Sequence, residues 1–378
     1  MVTGTRAEYG LLRSTMDALQ EIDNVSLDVL VTGIHTLALY GNTQDEVISD
    51  GYPVGKIIPV QPDESMFENL AEELVGIGRY LEEKRPDCVL VLGDRGEALA
   101  GALAAAHMRI PIAHIHGGDR SGYVIDEPIR HSITKFAHLH FVICPSSEKR
   151  VLQLGEESWR VHMVGAPGMD EISTLPATSR EEVAESLSLD PSRRWLLVVH
   201  HPTINDPVSL KDQIQPLLKE LQETGSEDEK ILIYPNSDKG ADVFIEEIRK
   251  IQGPRFHTYK SLPRRLFLNA FVQSAAIVGN SSAGIIESGG FHKPSLTIGG
   301  RQSDRERGEN VLHCGYTAPE IREGLQKVLS ESFRKKAEIS SSPYGEGGTG
   351  ARIAELLLKN LDDTRLLIKE FIDLPVTL

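Results

Sequence analysis

The stretch "DCVLVLGDRGEALAGALAAAHMRIPIAHI" spans residues 87–115. Its first apolar run, Val89–Leu92, is continuous rather than alternating, as suits a parallel strand buried on both faces. Gly93 ends the run, and an Ala- and Leu-rich helix pattern follows over "EALAGALAAAH" (97–107). A second apolar run restarts in "RIPIAHI" (109–115). Strand, helix and strand in this length predict a βαβ unit.

The same alternation extends outward from this core. Strand-like runs recur as "SLDVLVTG" (26–33), "HFVICP" (140–145), "RVHMVG" (160–165), "WLLVVHH" (195–201), "KILIYP" (230–235), "RFHTY" (255–259), "AAIVGN" (275–280) and "PSLTIGG" (294–300). Helix patterns separate them, among them "GLLRSTMDALQEI" (10–22) and "GADVFIEEIRKI" (240–251). The predicted class is α/β with doubly wound parallel sheets. At the start, "MVTGTRAEYG" reads as a strand end, a turn and a helix start, with only two residues before Thr3. Either the chain begins late or its first strand is truncated, since a strand normally takes about five or six residues.

A chain of 378 residues exceeds one ordinary core, so two domains are expected. Gly, Pro, Ser and Thr concentrate over 164–194 before the strand pattern restarts at Trp195. The expected domains are 1–165 and 166–350, followed by a helical segment at 351–378.

Hydrophobic residues make up 40% and charged residues 25%, with a net charge of −15. That balance argues against nucleic acid and anionic membrane surfaces as partners. The three cysteines are far apart and odd in number. They show neither a disulfide framework nor metal spacing, so a cytoplasmic home is expected. No signal pattern or membrane-length apolar run is read.

Ligands of open α/β sheets bind outside the carboxyl ends of the strands. The first strand is followed by Thr3, Gly4, Thr5 and Arg6. "CVLVLG" is followed by Asp94, Arg95 and Glu97. "RIPIAHI" leads into "HIHGGDRSGYVIDEPIRHSITK" (114–135). Asp126 suits a helix N-cap, with Glu127 and Pro128 in the first turn. That ordinary role leaves unexplained why His116, Asp119, Arg130 and His131 gather at the same sheet end. His114 is expected inside the strand as a packed, hydrogen-bonded histidine.

In the second half, His200 and His201 stand at a strand end, and Asn236 follows another. The sharpest signal is "AAIVGNSSAGIIESGGFHKP" (275–294). A helix starting at Ser281 or Ser282 offers free amides and two hydroxyls to an anion. Glu287 follows within reach of an attached ribose diol. "GGRQSDRERGEN" (299–310) adds Arg301, Arg305 and Arg307. No GxxxxGK[ST] is present, and no GxGxxG follows the first strand, which sets aside P-loop and nicotinamide enzymes.

These motifs together, above all "GNSSAGIIESGG" with "GGRQSDRERGENV", resemble the hydrolysing UDP-N-acetylglucosamine 2-epimerases of sialic-acid and related nonulosonic-acid synthesis. The resemblance runs from Thr3 to about Tyr344. It implies a GT-B fold, two Rossmann-like domains with the active site in the cleft, and a C-terminal helix packed back on the first domain. It also implies a UDP-sugar substrate, no cofactor, and a homo-oligomer, dimer or tetramer.

The implied reaction expels UDP to leave a glycal, adds water at C1 and returns a proton to C2 from the other face. It needs two proton-transfer groups with suitable pKa values and neutralisation of the departing diphosphate. By the resemblance, Asp94, Asp126, Glu127, Arg130 and His201 match catalytic positions. Arg6, Ser281, Ser282, Glu287 and Arg301 match nucleotide-binding positions, and Asn236 lies on the uracil or diphosphate side. Some members carry a glutamate where His116 stands; here Asp119, three residues on, can supply the carboxylate. Non-hydrolysing epimerisation and GT-B glycosyl transfer are the alternative readings.

Overall fold

The computed structural model describes residues 1–38, 41–62, 64–120, 125–224, 226–235, 240–251 and 253–375. The chain forms two compact units: Met1–Asp170 with Gly347–Leu378, and Glu171–Glu346. The sequence pattern places these divides at 165/166 and 350/351. At the first divide, the Asp170 carboxylate accepts from Thr349 N and Gly350 N, both at 2.7 Å. It thereby satisfies the first orphan amides of the C-terminal helix Thr349–Leu361.

The first unit carries β1 (Val2–Thr3), β2 (Val29–Val31), β3 (Val54–Ile57), β4 (Val89–Leu92), β5 (Ile112–Ile115), β6 (Leu139–Val142) and β7 (Val161–Met163). All ladders are parallel, in the orders β1-β2-β3 and β4-β5-β6-β7. β1 lies beside β4. The strand order therefore reverses between them, which makes β1/β4 the switch point of this unit. Strands β4, β5 and β6 are buried throughout, as their unbroken apolar runs demand. One apolar layer joins Tyr9, Leu12 and Met16 to Ile353 and Leu357 of the C-terminal helix. The other joins Ile77 and Leu81 to the alanines of the helix Gly96–His107.

The second unit holds β8 (Trp195–Val199), β9 (Glu229–Ile233), β10 (Phe256–Tyr259), β11 (Ala276–Gly279), β12 (Ser295–Ile298) and β13 (Val311–Cys314). They form one parallel sheet in the order β10-β9-β8-β11-β12-β13. Its switch point is β8/β11. The strands approach closely there: a Cβ on Gly279, at φ 134°, would lie 2.0 Å from Val199 O. Only glycine fits this position.

Two strands lie outside the sequence reading, β3 and β13. Both are edge strands with partly or largely exposed residues, so neither shows the apolar run that marks a central strand. β1 is two residues long.

Candidate functional site

At the carboxyl ends of β4 and β5, Arg130 is the hub. It sits in the helix Asp126–Phe136 and is 3% exposed. Its guanidinium pairs with Asp94, with Glu127 Oε2 at 2.9 Å and with Asp119 O at 2.8 Å. One planar cation thus ties together the ends of two strands and a helix, a geometry suited to the forked guanidinium. A buried arginine is stable only when paired in this way. Asp126 departs from the sequence reading: it is the first helical residue and Ile125 is the cap, with no side-chain capping bond. Glu127 also lies 3.5 Å from His131 Nε2, the i,i+4 spacing of one helix face.

Asp119 is 8% exposed. One carboxylate oxygen accepts from Ser147 Oγ at 2.6 Å, and the other lies 2.9 Å from His116 Nδ1. His116 adopts φ 65°, a conformation rare for a residue with a side chain. Its Nε2 is buried and has no hydrogen-bond partner among the described residues. Gly118 makes the turn possible: at φ 77°, a Cβ there would lie 2.3 Å from Ser147 O. His116 and Gly118, both at positive φ, turn the loop here, and Asp119 stands beside His116. His114, by contrast, is fully buried and bonded to Gly93 O at 2.7 Å and Thr134 Oγ1 at 3.3 Å. Burial holds it neutral, down at about 3.

The β1/β4 switch point holds a compact acidic group. Gly4 N donates to Glu8 Oε2 at 3.1 Å, and the Glu97 side chain fills the space where a Gly4 Cβ would stand. Arg95 Nε reaches Glu97 Oε1 at 2.9 Å. Burial, then the neighbouring Glu97 charge, pushes both Glu8 and Glu73 up to about 8. Arg6 opens the next helix, exposed and 2.9 Å from Glu46.

The second unit presents a different chemistry at β8/β11. Asn280 is 1% exposed and clamps the His201 backbone, accepting from His201 N at 2.7 Å and donating to His201 O at 2.8 Å. Burial, with Arg301 nearby, holds His201 neutral, down at about 3. His200 turns the other way, stacked on Phe244 and bonded to Gln213 O. Arg301 Nη1 donates to Asn280 O at 3.3 Å.

The helix expected after β11 is shorter than its pattern suggested. Ser281 caps a 3-10 turn, Ser282–Gly284, and accepts from Ala283 N at 3.3 Å. The α-helix Ile286–Gly290 follows. So short an element has little macrodipole, and anion binding here rests on hydroxyls, local amides and Arg301. Glu287 lies 3.2 Å from Arg264, which also pairs with Glu171 at 2.8 Å. Arg307 donates to Ser303 O at 2.8 Å. Asn236 lies outside the described residues.

Ser147, Asn280 and Glu73 also belong to these sheet ends, without being marked as site residues by the sequence pattern. Ser147 and Glu73 touch the site from helices remote in sequence, and only Asn280, inside "GNSS", carried a local signal. Among the described residues, no cluster of His, Cys, Asp and Glu could hold a metal ion. No described helix is long and apolar enough to cross a membrane.

Residues 17–358 match the family described as UDP-N-acetylglucosamine 2-epimerase. A Legionella pneumophila protein named UDP-N,N'-diacetylbacillosamine 2-epimerase (hydrolyzing) is 38% identical over 361 residues, 94% of each chain. A Neisseria meningitidis serogroup B protein named UDP-N-acetylglucosamine 2-epimerase is 33% identical over 330 residues, 87% of this chain and 86% of that one. The crystal structure of UDP-GlcNAc 2-epimerase from Neisseria meningitidis bound to UDP-GlcNAc matches with a TM-score of 0.81 at 20% identity, over 95% of this chain and 99% of that one. With two parallel, helix-flanked sheets, that likeness shows the GT-B fold class. A match from residue 17 to 358, with relatives aligned along most of their own length, makes the chain a member of the UDP-N-acetylglucosamine 2-epimerase family.

Proposed function

We propose that the chain is a hydrolysing 2-epimerase of UDP-linked 2-acetamido sugars, releasing UDP and the free C2 epimer. Besides membership of the family, one observation carries this reading. Arg130 gathers Asp94, Glu127 and the Asp119 backbone at one sheet end, so proton-transfer groups converge there on rigid elements.

As the C1–O bond breaks, UDP leaves with the electron pair and the C2–H proton becomes removable by a carboxylate. Loss of that proton leaves a C1=C2 double bond. Water then adds its hydroxyl at C1, and a proton returns to C2 on the opposite face. Asp119 with His116, and Asp126 with Glu127, form the two proton-transfer sets; Asp94 and Arg130 hold them in register. On the nucleotide side, Ser281, Ser282, Arg301 and Arg6 bind the diphosphate, Glu287 the ribose, and Asn236 the uracil or diphosphate side. Neutral His201 donates to the leaving oxygen, where developing charge is best met by fixed dipoles and donors.

The 38% identity to a diacetylbacillosamine enzyme favours a 2,4-diacetamido sugar over N-acetylglucosamine. We further assign the protein to the cytoplasm, acting as a homo-oligomer. The test is a panel of UDP- and GDP-linked 2-acetamido sugars, scored for free nucleotide and for the covalent state of the sugar. Free UDP with a free manno-type epimer is expected. An epimer still attached to UDP would instead favour the non-hydrolysing reaction, and turnover only with an added acceptor would favour glycosyl transfer.

A further inference from the structure

The helix Asp126–Phe136 is held from behind by the end of the chain. After the C-terminal helix, the tail packs against the segments that lead into β6 and β7. Arg160 is fully buried and donates to Leu366 O at 2.8 Å, Arg365 O at 3.2 Å and Ile368 O at 2.6 Å. Ile372 N donates to Gly155 O at 2.9 Å.

Between these anchors, Lys369 Nζ reaches Thr134 O at 3.2 Å, Lys135 O at 2.8 Å and Ala137 O at 2.7 Å. These are carbonyls at the end of the helix, where intrahelical donors run out; of the three, Thr134 O also accepts from Ala137 N at 3.2 Å. A cation there also complements the negative end of the helix dipole.

Glu156 sits beneath, its side chain fully buried. It lies 2.6 Å from Lys369 Nζ, 2.5 Å from Lys135 Nζ and 3.0 Å from His140 Nε2. The lysine is thus neutralised from below, its three protons shared among the Glu156 carboxylate and the three backbone oxygens. The apolar side of the helix is held by packing, with Ile133 fully buried, and polar contacts add an axial restraint. Lys369 supplies that restraint at one end, and Arg130 supplies it at the other.

We propose that the C-terminal tail is a strap, and that Lys369 is a positioning residue that fixes the axial placement of the helix carrying Asp126, Glu127 and Arg130. This inference rests on the reading of that helix as catalytic.

Around Lys369 stand Glu156, Lys135, Arg160, His138 and His140. Burial lowers Lys369 to about 8 despite the Glu156 carboxylate. Its proton, and with it the cap, is therefore lost as pH rises through about 8.

The test compares wild type with Lys369→Met and Lys369→Arg. It measures hydrogen-exchange protection of residues 126–136, kcat across pH 6.5–9.5, and UDP affinity by calorimetry. A misplacement of about 1 Å costs on the order of 10²-fold, so Lys369→Met should lower kcat about 10- to 100-fold. Protection of 126–136 should fall, while UDP affinity stays within about 2-fold. Lys369→Arg, whose guanidinium does not titrate in this range, should retain protection and move the alkaline fall in kcat to higher pH.

Unchanged protection in Lys369→Met, or an alkaline limb identical in wild type and Lys369→Arg, would overturn the strap. Lost protection with unchanged kcat would overturn its link to catalysis. If Lys369→Met fails to fold, the wild-type protection factor of 126–136 against pH and the Lys369→Arg limb still decide. Absence of free UDP from every sugar tested would refute the proposed reaction, and the exchange readout would stand apart from it.

Discussion

The two sheet ends solve opposite problems with different residues. In the first unit acidic and basic side chains pair with one another: Arg130 holds Asp94, Glu127 and the Asp119 backbone, while Ser147 and His116 hold the Asp119 carboxylate. In the second unit the groups at β8/β11 are a neutral histidine, an amide, two hydroxyls and Arg301. A prearranged ionic network suits proton transfer, which needs groups fixed in position and protonation state. A ring of donors around one cation suits a diphosphate that arrives with its own charge. The contrast therefore divides proton transfer at C2 from the binding and stabilisation of the leaving UDP, and substitutions in the two units should fail in different ways.

The largest effect is expected for Arg130→Met. It strands the Asp119 carbonyl and the partly buried carboxylates of Asp94 and Glu127; breaking a fully buried pair costs about 3–5 kcal/mol, and water reaching these carboxylates brings the loss below that. Thermal melting should show that loss, and turnover should vanish with it. If the variant melts like wild type, the hub role is wrong.

Asp126→Asn comes next. General acid–base groups contribute on the order of 10²–10⁴-fold, and kcat should fall by that much with UDP affinity retained. A variant that loses UDP binding while turning over normally would erase the division.

Ser282→Ala sharpens the other side. UDP Kd should rise about tenfold, roughly 1.4 kcal/mol, with kcat little changed. A selective loss of kcat here would give Ser282 a role in the reaction rather than in binding UDP.

The smallest effect is in stability against pH. His35, His114, His138, His140, His200 and His201 are all lowered by burial, to between about 3 and about 4. They protonate more readily unfolded, so stability falls as pH drops from about 6.5 toward 4. Glu8 and Glu73 are raised to about 8. Their folded pKa lies above the unfolded value, so their contribution is present below about 4.5 and is lost as pH rises toward 8. Above about 6.5 only the glutamates of these two sets still titrate, and a maximum near that pH is expected. Glu73→Gln should flatten the alkaline decline in melting temperature; an unchanged decline would show that Glu73 is already ionised.

Much of this was legible locally. Continuous Val/Ile/Leu runs marked the central strands because burial on both faces leaves no polar alternation. The edge strands β3 and β13 lack that signature. "GNSSAG" reads as a helix start at Ser281 or Ser282 because serines cap helices, yet it folds as one 3-10 turn before Ile286–Gly290. The residues near Asp119 were readable, but its partner Ser147 is 28 residues away. Lys369, more than 230 residues from the helix it caps, had no local mark at all. Side chains that act across the fold leave no periodic trace in the chain.

The central claim is a hydrolysis coupled to proton exchange at C2. It is tested most directly by turnover of UDP-N,N'-diacetylbacillosamine and UDP-N-acetylglucosamine in D2O, followed by mass spectrometry and NMR. The account predicts free UDP and a free epimerised sugar carrying one deuterium at C2. A released sugar that keeps its original C2 proton, or an epimer still joined to UDP, would contradict it.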